Sequence, residues 1–476
     1  MKNKFYITTT LPYVNANPHI GFALEIVQAD VVARFHRQLG DEVFFNTGTD
    51  EHGAKVHQKA LELGKDAQKY CDEKAQNFLD LKKMLNLSFD SFTRTTDAHH
   101  IAAAQEFWQR CETAGDIYKK NYKIKYCVGC ELEKTESDLV DGKCPLHPNM
   151  EIEIIDEENY FFRFSKYQER LLEFYANNST FVTPDKKFNE VKSFVAMGLQ
   201  DFSISRLKNK MPWGVEVPGD PEQVMYVWFD ALVNYISAIG WPDNLENFEQ
   251  WWPAVQLAGK DNLRQQSAMW QAMLFSAGIP NSKQVFINGF VNVGGQKMSK
   301  SLGNVVSPQD LIEKFGIDAT RYLLLTLGDN FGEDMDFTWE RVTEKYNADL
   351  ANGLGNITSR IIKLAEGLDI PSGIKSDDAK NADMRKMFAE MELSQALQIV
   401  WSMIRENDKY ISDTKPWELR KTDEVAFKKI MQKLLSELSL IAELLVPFMP
   451  DTAEKIKKAL ETKQVEIIFP RITPVK

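Results

Sequence analysis

The sequence predicts a parallel-sheet α/β domain, interrupted by a small metal-knuckle insert and followed by an α-helical bundle. Three observations carry this reading. Short apolar runs that end in polar, glycine-bearing loops and lead into helical periodicity occur on both sides of a cysteine-rich segment. Within that segment, Cys127-x₂-Cys130 and Cys144-x₂-His147 bracket a loop, ELEKTESDLVDGK, too polar to have a core of its own. From Glu340 onward strand signals nearly vanish and apolar stripes at helical spacing take over. At 476 residues the chain exceeds the length at which one core stops growing, roughly 250–300, so two or three domains are expected.

The first unit is Phe5–Thr10, a β-rich run that leads through Leu11-Pro12 and a polar loop to His19, Gly21 and a helical pattern from Ala23. A helix that begins behind the C-terminal end of a strand suits a phosphate: free N–H groups and the helix dipole favour negative charge. His19 would be a donor there; the alternative is a turn that happens to contain a histidine. Glu42–Thr47 reads as a second parallel strand ending in Gly48-Thr49-Asp50-Glu51-His52-Gly53, at the sheet edge where ligands sit. Asp50 could receive an ammonium group, with Glu51 and His52 behind it, or Asp50 or Glu51 could cap the next helix. Residues 66–115 read as helical with a turn through Asn86–Thr96, and His99 and His100 as surface or capping groups.

In the insert, two knuckles of two donors each supply what tetrahedral Zn²⁺ needs and leave no vacancy for catalysis, so the site would be structural. Five cysteines, three of them at 127–144, suit a metal site in a reducing compartment better than a disulfide scaffold. Strand Asn159–Phe164 and helix Lys166–Asn177 follow, and parallel-sheet text resumes at Met225 with a strand Tyr226–Phe229 and a helix opened by Asp230. Trp228, Ala231, Leu232 and Tyr235 would line a pocket or belong to the core. Ala254–Gln266 repeats the strand–loop–helix pattern with Gly259-Lys260-Asp261 at its turn. After the strand Val285–Val291, Gly294, Gly295 and Gly303 frame Lys297 and Lys300. A glycine-bordered cationic loop of this kind can close over a polyphosphate and withdraw. The bundle reads as long helices at 341–368, 379–413 and 423–446, interrupted at Pro416-Trp417, with a short terminal helix at 452–460.

The net charge of −11 argues against a protein coated in basic surface but permits a nucleic-acid partner at a local patch. No run approaches 18 apolar residues and the N-terminus lacks the apolar stretch of a signal peptide, so a soluble, cytoplasmic chain is expected.

His19-Ile20-Gly21-Phe22 resembles the HIGH signature, and Lys297-Met298-Ser299-Lys300-Ser301 the KMSKS signature, of class I aminoacyl-tRNA synthetases. TTTLPYVNANPHIG, GTDEHG, the knuckles, NEVKSF, VMYVWFDAL and GKD resemble the methionyl branch. The resemblance implies a Rossmann-like, HUP-type catalytic domain in two halves (1–114 and 225–305), a connective domain at 115–224, a linker at 306–340 and an anticodon-binding bundle at 341–476. It implies ATP as substrate with Mg²⁺, one structural Zn²⁺, L-methionine, and initiator and elongator tRNA(Met) as partners. No DNA, no membrane and a monomer are expected. By the same similarity, His19, Gly21, Phe22, Gly259, Asp261, Lys297 and Lys300 would serve ATP, with His19, Lys297 and Lys300 catalytic. Leu11, Tyr13, Asp50, Trp228, Ala231, Leu232, Tyr235, Gln265 and Gln266 would hold methionine. Asn352 and Trp417 would read the anticodon, and Cys127, Cys130, Cys144 and His147 would bind zinc. Lys119, Lys120, Lys123, Lys125 and Arg405 would give tRNA binding its salt dependence.

The chain departs from the family at Phe22, where histidine is usual, in having a single four-ligand knuckle set, and at Arg264-Gln265-Gln266, where an Arg-Phe-His-like segment is common. Two amides in place of rings are expected to change tolerance for methionine analogues. A class I synthetase for leucine or cysteine, or a catalytically silent tRNA-binding relative, are the other readings.

Overall fold

The computed structural model describes residues 2–130, 132–134, 136–298, 303–368 and 378–473. Its centre is a six-stranded parallel sheet: β1 (Lys4–Thr8), β2 (Glu42–Thr49), β3 (Ser91–Arg94), β4 (Val182–Thr183), β5 (Val255–Gly259) and β6 (Gln284–Asn288), in the order β3-β2-β1-β5-β6-β4. Phe5, Tyr6 and Ile7 of β1 are all buried, as expected for a strand covered on both faces. Helix α1 (Ile20–Gln38) buries fourteen of its nineteen residues, which is why its text is apolar nearly all round.

Several expectations are corrected here. Asn86–Thr96 is not only a turn: Ser91–Arg94 adds an edge strand to β2, too short and too polar to show alternation in sequence. Tyr226–Phe229 is not a strand of the parallel sheet. The strand is Asp220–Met225, antiparallel within a separate three-stranded sheet, and Tyr226 precedes a short helix, Val227–Ala231, that contains Asp230 rather than opening on it. The run is aromatic because that helix is buried, and buried aromatic text does not distinguish helix from strand. The connective span 115–224 is also not separate from the sheet, because β4 returns from within it to pair with Val285 and Phe286. After the first half, the parallel sheet resumes with β4 and then with β5 at Val255, not at Met225. The 306–340 linker contributes Met335–Phe337, which pairs in parallel with Val291–Val293. Gly289 makes this docking possible: a Cβ there would lie 2.0 Å from the Glu333 carbonyl oxygen.

The insert is built on the antiparallel pair Ile117–Cys127 and Glu153–Phe162. In the bundle, Leu434, Leu438, Ile441 and Leu445 are buried as one stripe of the helix Glu424–Leu445. The expected helix 379–413 is two, Asp378–Ala389 and Leu393–Thr414, broken where Met391 adopts a left-handed backbone (φ 60°). Among the described residues no helix is long and apolar enough to cross a membrane.

The bundle and the sheet domain share one continuous apolar core. Phe35 of α1 stacks on Phe388 with centroids 3.8 Å apart. At this junction Arg321 is wholly buried, 2.8 Å from the equally buried Asp30 carboxylate. It also donates to the carbonyls of Leu85 (3.0 Å), Pro447 (3.0 Å) and Phe448 (2.8 Å). Burial would raise the Asp30 carboxyl, but the guanidinium groups of Arg321 and Arg34 and the Ser88 bonds hold it below its ordinary range.

Candidate active site

A cavity of about 540 Å³ opens at the C-terminal edge of the parallel sheet, the position at which open α/β sheets take ligands. The loop after β1, the end of β2, the loops after β5 and β6 and the aromatic segment 227–235 all reach it. Leu11, Tyr13 and Asp50 line it together. They are fixed by backbone pairing that prolongs the sheet: Asp50 N–H donates to the Pro12 carbonyl (3.0 Å) and Val14 N–H to that of Asp50 (3.1 Å). Asp50 is buried, and the N-cap of the next helix, Ala54–Glu62, is Gly53, with no side-chain capping bond.

His19 is the N-cap of α1, and its Nδ1 accepts from Gly21 N–H at 3.1 Å. That bond fixes the tautomer: Nδ1 carries no proton, so Nε2–H is the remaining donor. A Cβ at Gly21 would lie 3.0 Å from the imidazole, a tight contact that would press on the ring, and 3.6 Å from the Met298 methyl. Burial lowers the His19 pKa, although Asp261 pulls it back up, so the ring is neutral near pH 7. The expected cradle of free helix N–H groups is corrected. The Gly21 amide serves His19 and the Ile20 amide donates to Val306 (3.1 Å), so the helix end offers fewer amides to an anion than its position suggests. Phe22 lines the cavity and packs edge-on against Phe78, replacing an imidazole with an apolar wall.

On the opposite rim Gly259, Asp261 and Lys297 join the same cavity. A Cβ on Gly259 would sit 2.7 Å from Asp261 Oδ1. Lys260 and Lys297 lie over the ring of Phe290, 4.1 and 4.2 Å from its centroid, so two cations meet one aromatic ring. Lys300 lies outside the described residues. The imidazole of the first loop and the Lys297 segment of the second loop therefore meet at one cavity.

Trp228, Ala231, Leu232 and Tyr235 form its apolar wall. Gln266 faces it and donates from Nε2 to Tyr235 Oη at 2.5 Å. Gln265, expected beside it, is buried away from the cavity. Both sit at the start of a π-helical stretch, Gln265–Met269, whose wide turn decouples facing direction from ordinary helical spacing.

Sequence reasoning assigned no role at the site to three supporting groups, Asp230, Asn288 and Glu25, whereas Glu51 and His52 were expected behind Asp50. Asp230, fully buried, accepts from His52 Nδ1 (2.9 Å) and His100 Nε2 (3.1 Å), so His100 is neither a surface nor a capping residue. Burial would raise the Asp230 carboxyl, and the two imidazoles hold it below its ordinary range. Glu51 is clamped by Arg94 through two bonds, 2.7 and 2.8 Å. Asn288, at the end of β6, lines the cavity with both amide atoms buried and without a hydrogen-bond partner among the described residues. Glu25, inside the helical text of α1, reaches the cavity and accepts from the Thr10 amide (2.8 Å) and hydroxyl (2.6 Å). Burial pushes its carboxyl up to about 8, against the lowering effect of those bonds. Only the position of Glu25 one turn into α1, behind His19, could have pointed to it.

The ligand atoms of Cys127, Cys130, Cys144 and His147 lie within 4.8 Å of one another. His147 turns Nδ1 inward, 3.2 Å from Cys130 Sγ and 3.8 Å from Cys127 Sγ. Three thiols and one imidazole nitrogen at this spacing fit a tetrahedral Zn²⁺ with four protein ligands. Gly129 clears the way, since a Cβ would fall 2.3 Å from the His147 ring. The knuckle also touches the cavity, where Cys130 is part of the wall and Lys55 Nζ donates to the Gly129 carbonyl at 2.5 Å. Cys71 and Cys111 are buried thiols pushed up to about 12 by burial, which leaves them poor nucleophiles.

In the bundle Trp417 is half exposed at the start of the helix Pro416–Thr422. Asn352 lines a second cavity, of about 300 Å³, and its Oδ1 accepts from Arg471 Nε at 2.8 Å. Of the basic groups expected to meet nucleic acid, Lys119 is engaged by Asp220 (2.6 Å) and Lys125 by Glu136 (2.6 Å), which leaves less free positive charge there than the sequence implied.

A family model described as tRNA synthetases class I (M) matches residues 5–152 and 135–362, and one described as the anticodon binding domain of methionyl tRNA ligase matches 374–471. The chain is 42% identical to the methionine–tRNA ligase of Nostoc sp. over 477 residues, covering 96% of this chain and 89% of that relative. It is also 42% identical to that of Thermotoga maritima over 472 residues, covering 95% and 74%. Its fold is similar to Mycobacterium tuberculosis methionyl-tRNA synthetase in complex with methionyl-adenylate, with a TM-score of 0.89, 38% identity and coverage of 100% and 99%. Against the apo form of that enzyme the TM-score is 0.83, at 33% identity and the same coverage. A catalytic sheet and a helical bundle that each match the methionyl models, joined in one fold shared with a methionyl enzyme, mean that this chain belongs to the methionyl-tRNA synthetase family of class I aminoacyl-tRNA synthetases.

Proposed function

We propose that the chain activates L-methionine with ATP and transfers it to initiator and elongator tRNA(Met), acting as a cytoplasmic monomer. One observation carries this reading. A single cavity joins a buried carboxylate, an aromatic–aliphatic wall and a rim with an imidazole donor and a lysine. Asp50 receives the ammonium group of methionine; Leu11, Tyr13, Trp228, Ala231, Leu232 and Tyr235 enclose its side chain. The thioether suits aromatic neighbours, a contact worth roughly 0.3–1.5 kcal/mol. The substrate carboxylate is already a nucleophile. It attacks the α-phosphorus, the bond to the β-phosphate oxygen breaks, and pyrophosphate leaves with the electron pair. Catalysis is then positioning plus charge stabilisation. His19 Nε2–H and Lys297 face the phosphates, joined by Lys300 on the sequence resemblance, while Gly259 and Asp261 serve the nucleoside side. Mg²⁺ accompanies the triphosphate. The terminal ribose hydroxyl of tRNA then attacks the acyl carbon and AMP departs. Cys127, Cys130, Cys144 and His147 would hold one Zn²⁺, whose contribution is a structural cross-link. Asn352 and Trp417 meet the anticodon, where stacking on an aromatic is worth roughly 1–3 kcal/mol per base.

The test is ATP–pyrophosphate exchange with each of the twenty amino acids, followed by charging of tRNA with altered anticodons. Methionine alone should support rapid exchange, and anticodon changes should abolish charging. Exchange driven by leucine or cysteine, or by none, refutes the proposal.

Glu25 gives a pH signature. With its carboxyl raised to about 8, it is neutral at pH 7 and adds no charge beside the triphosphate. Above that value it ionises and repels the nucleotide, so kcat/KM for ATP should fall as pH rises through about 8. Glu25→Gln cannot ionise and should lack this alkaline limb. Matching profiles for the two proteins would show that another group titrates.

A further inference from the structure

Two aspartates, Asp334 and Asp336, alternate with the buried Met335 and Phe337 along the short strand by which the 306–340 span docks beside the lysine loop. Both carboxylates reach that loop. Asp334 takes Lys260 Nζ on its two oxygens, each at 2.6 Å, and the Phe290 amide on Oδ1 at 2.9 Å. Asp336 Oδ1 accepts from the Gly295 amide at 2.7 Å. Gly294 and Gly295, both left-handed (φ 61° and 75°), make the turn between Val291–Val293 and Gln296–Lys297. Backbone pairing stops one residue short of holding this turn. The Gly294 amide donates to the Phe337 carbonyl at 3.1 Å, and the next amide, that of Gly295, is taken by the Asp336 side chain. Adjacent glycines leave a backbone with little restraint of its own. Lys297, two residues on, is exposed and rests against the Phe290 ring at the cavity mouth.

We infer that Asp336 is a positioning residue for Lys297: its carboxylate pins the Gly294–Gly295 turn, which holds the lysine at the cavity before ATP arrives. The inference rests on the proposed role of Lys297 at the phosphates and deepens it. Asp336 does not line the cavity, so it acts through the turn rather than on the substrate. A carboxylate accepting from an amide makes a charge-assisted bond, stronger than a neutral one. Asp334 secures the other half of the arrangement, since it fixes the backbone of the residue whose ring Lys297 meets. One strand edge thereby holds both the arm and its rest.

The experiment is a double-mutant cycle in ATP–pyrophosphate exchange with methionine. Asp336→Ala should lower kcat about tenfold, the scale of one hydrogen bond to a charged group, with the KM for methionine unchanged. Asp336→Asn keeps an acceptor for the Gly295 amide and should restore most of the loss. In a Lys297→Met background, Asp336→Ala should cost less than about twofold more, because the residue that it positions is gone. Full, additive losses overturn the inference, as does a rise in the KM for methionine without a fall in kcat. Asparagine as poor as alanine also overturns it, since the charge would then matter and not the bond. If Asp336→Ala does not fold, amide exchange in the wild-type chain decides: Gly295 N–H should be protected, and free exchange at that turn amide overturns the inference. Lys297→Met with undiminished exchange sinks the catalytic reading beneath as well, whereas additivity sinks this inference alone.

Discussion

Replacing Arg321 with methionine should destabilise the whole chain by about 3–5 kcal/mol, the cost of removing one partner from a buried ion pair. Asp30 would keep its buried charge, with only Arg34 and the Ser88 groups left to answer it. Three carbonyls, those of Leu85, Pro447 and Phe448, would lose a donor in the same step. The pH dependence follows in sign. The Asp30 carboxyl is depressed in the folded chain, so its stabilisation is present above the unfolded carboxylate range and is lost as pH falls through the folded value. Much of that acid sensitivity should vanish in Arg321→Met. Denaturant titrations at neutral and acidic pH measure both effects, and a loss under 1 kcal/mol would mean that the pair behaves like an exposed one.

The second large effect belongs to His19. His19→Ala should lower kcat for adenylate formation by about 10²–10³-fold, the cost of losing one preorganised donor to a developing oxyanion, and should leave the KM for methionine nearly in place. Alanine also removes the cap of α1, worth about 1 kcal/mol. His19→Asn separates the two contributions, since asparagine caps well but does not reach as far as Nε2. Stability restored without kcat assigns the loss to the imidazole; kcat restored by asparagine assigns it to the helix end. The pKa is lowered on folding, so the contribution of His19 to stability is complete above the ordinary value of 6.5 and declines as pH drops toward the lowered one. Protonation also takes the Nδ1 lone pair from the Gly21 amide, so activity and the cap should fail together in acid.

The large periodic elements were legible in sequence because burial dictates them. The stripe Leu434, Leu438, Ile441 and Leu445 and the four-donor knuckle needed only spacing. Ser91–Arg94 and Val182–Thr183 were not legible, since strands of four and two residues carry too little alternation to stand out from a turn. The residues expected near the signatures line one cavity, whereas Gln265 does not, because a π-helical turn changes which neighbour faces inward. The bonds from His52 and His100 to Asp230 escaped for a different reason. Their partnership spans 178 and 130 residues, and no local pattern records it.

The uninterrupted packing between α1 and the bundle, with Phe35 seated on Phe388, has a geometric corollary. Two bodies that share one interior do not slide past each other cheaply, so the separation between the half-exposed Trp417 and the mouth beside His19 is set by the fold itself. The chain is in effect a caliper. On the proposed function, an adaptor RNA seated at one jaw would bring its acceptor end to the other only if its own span matched, and length would become a criterion of selection alongside the bases it displays.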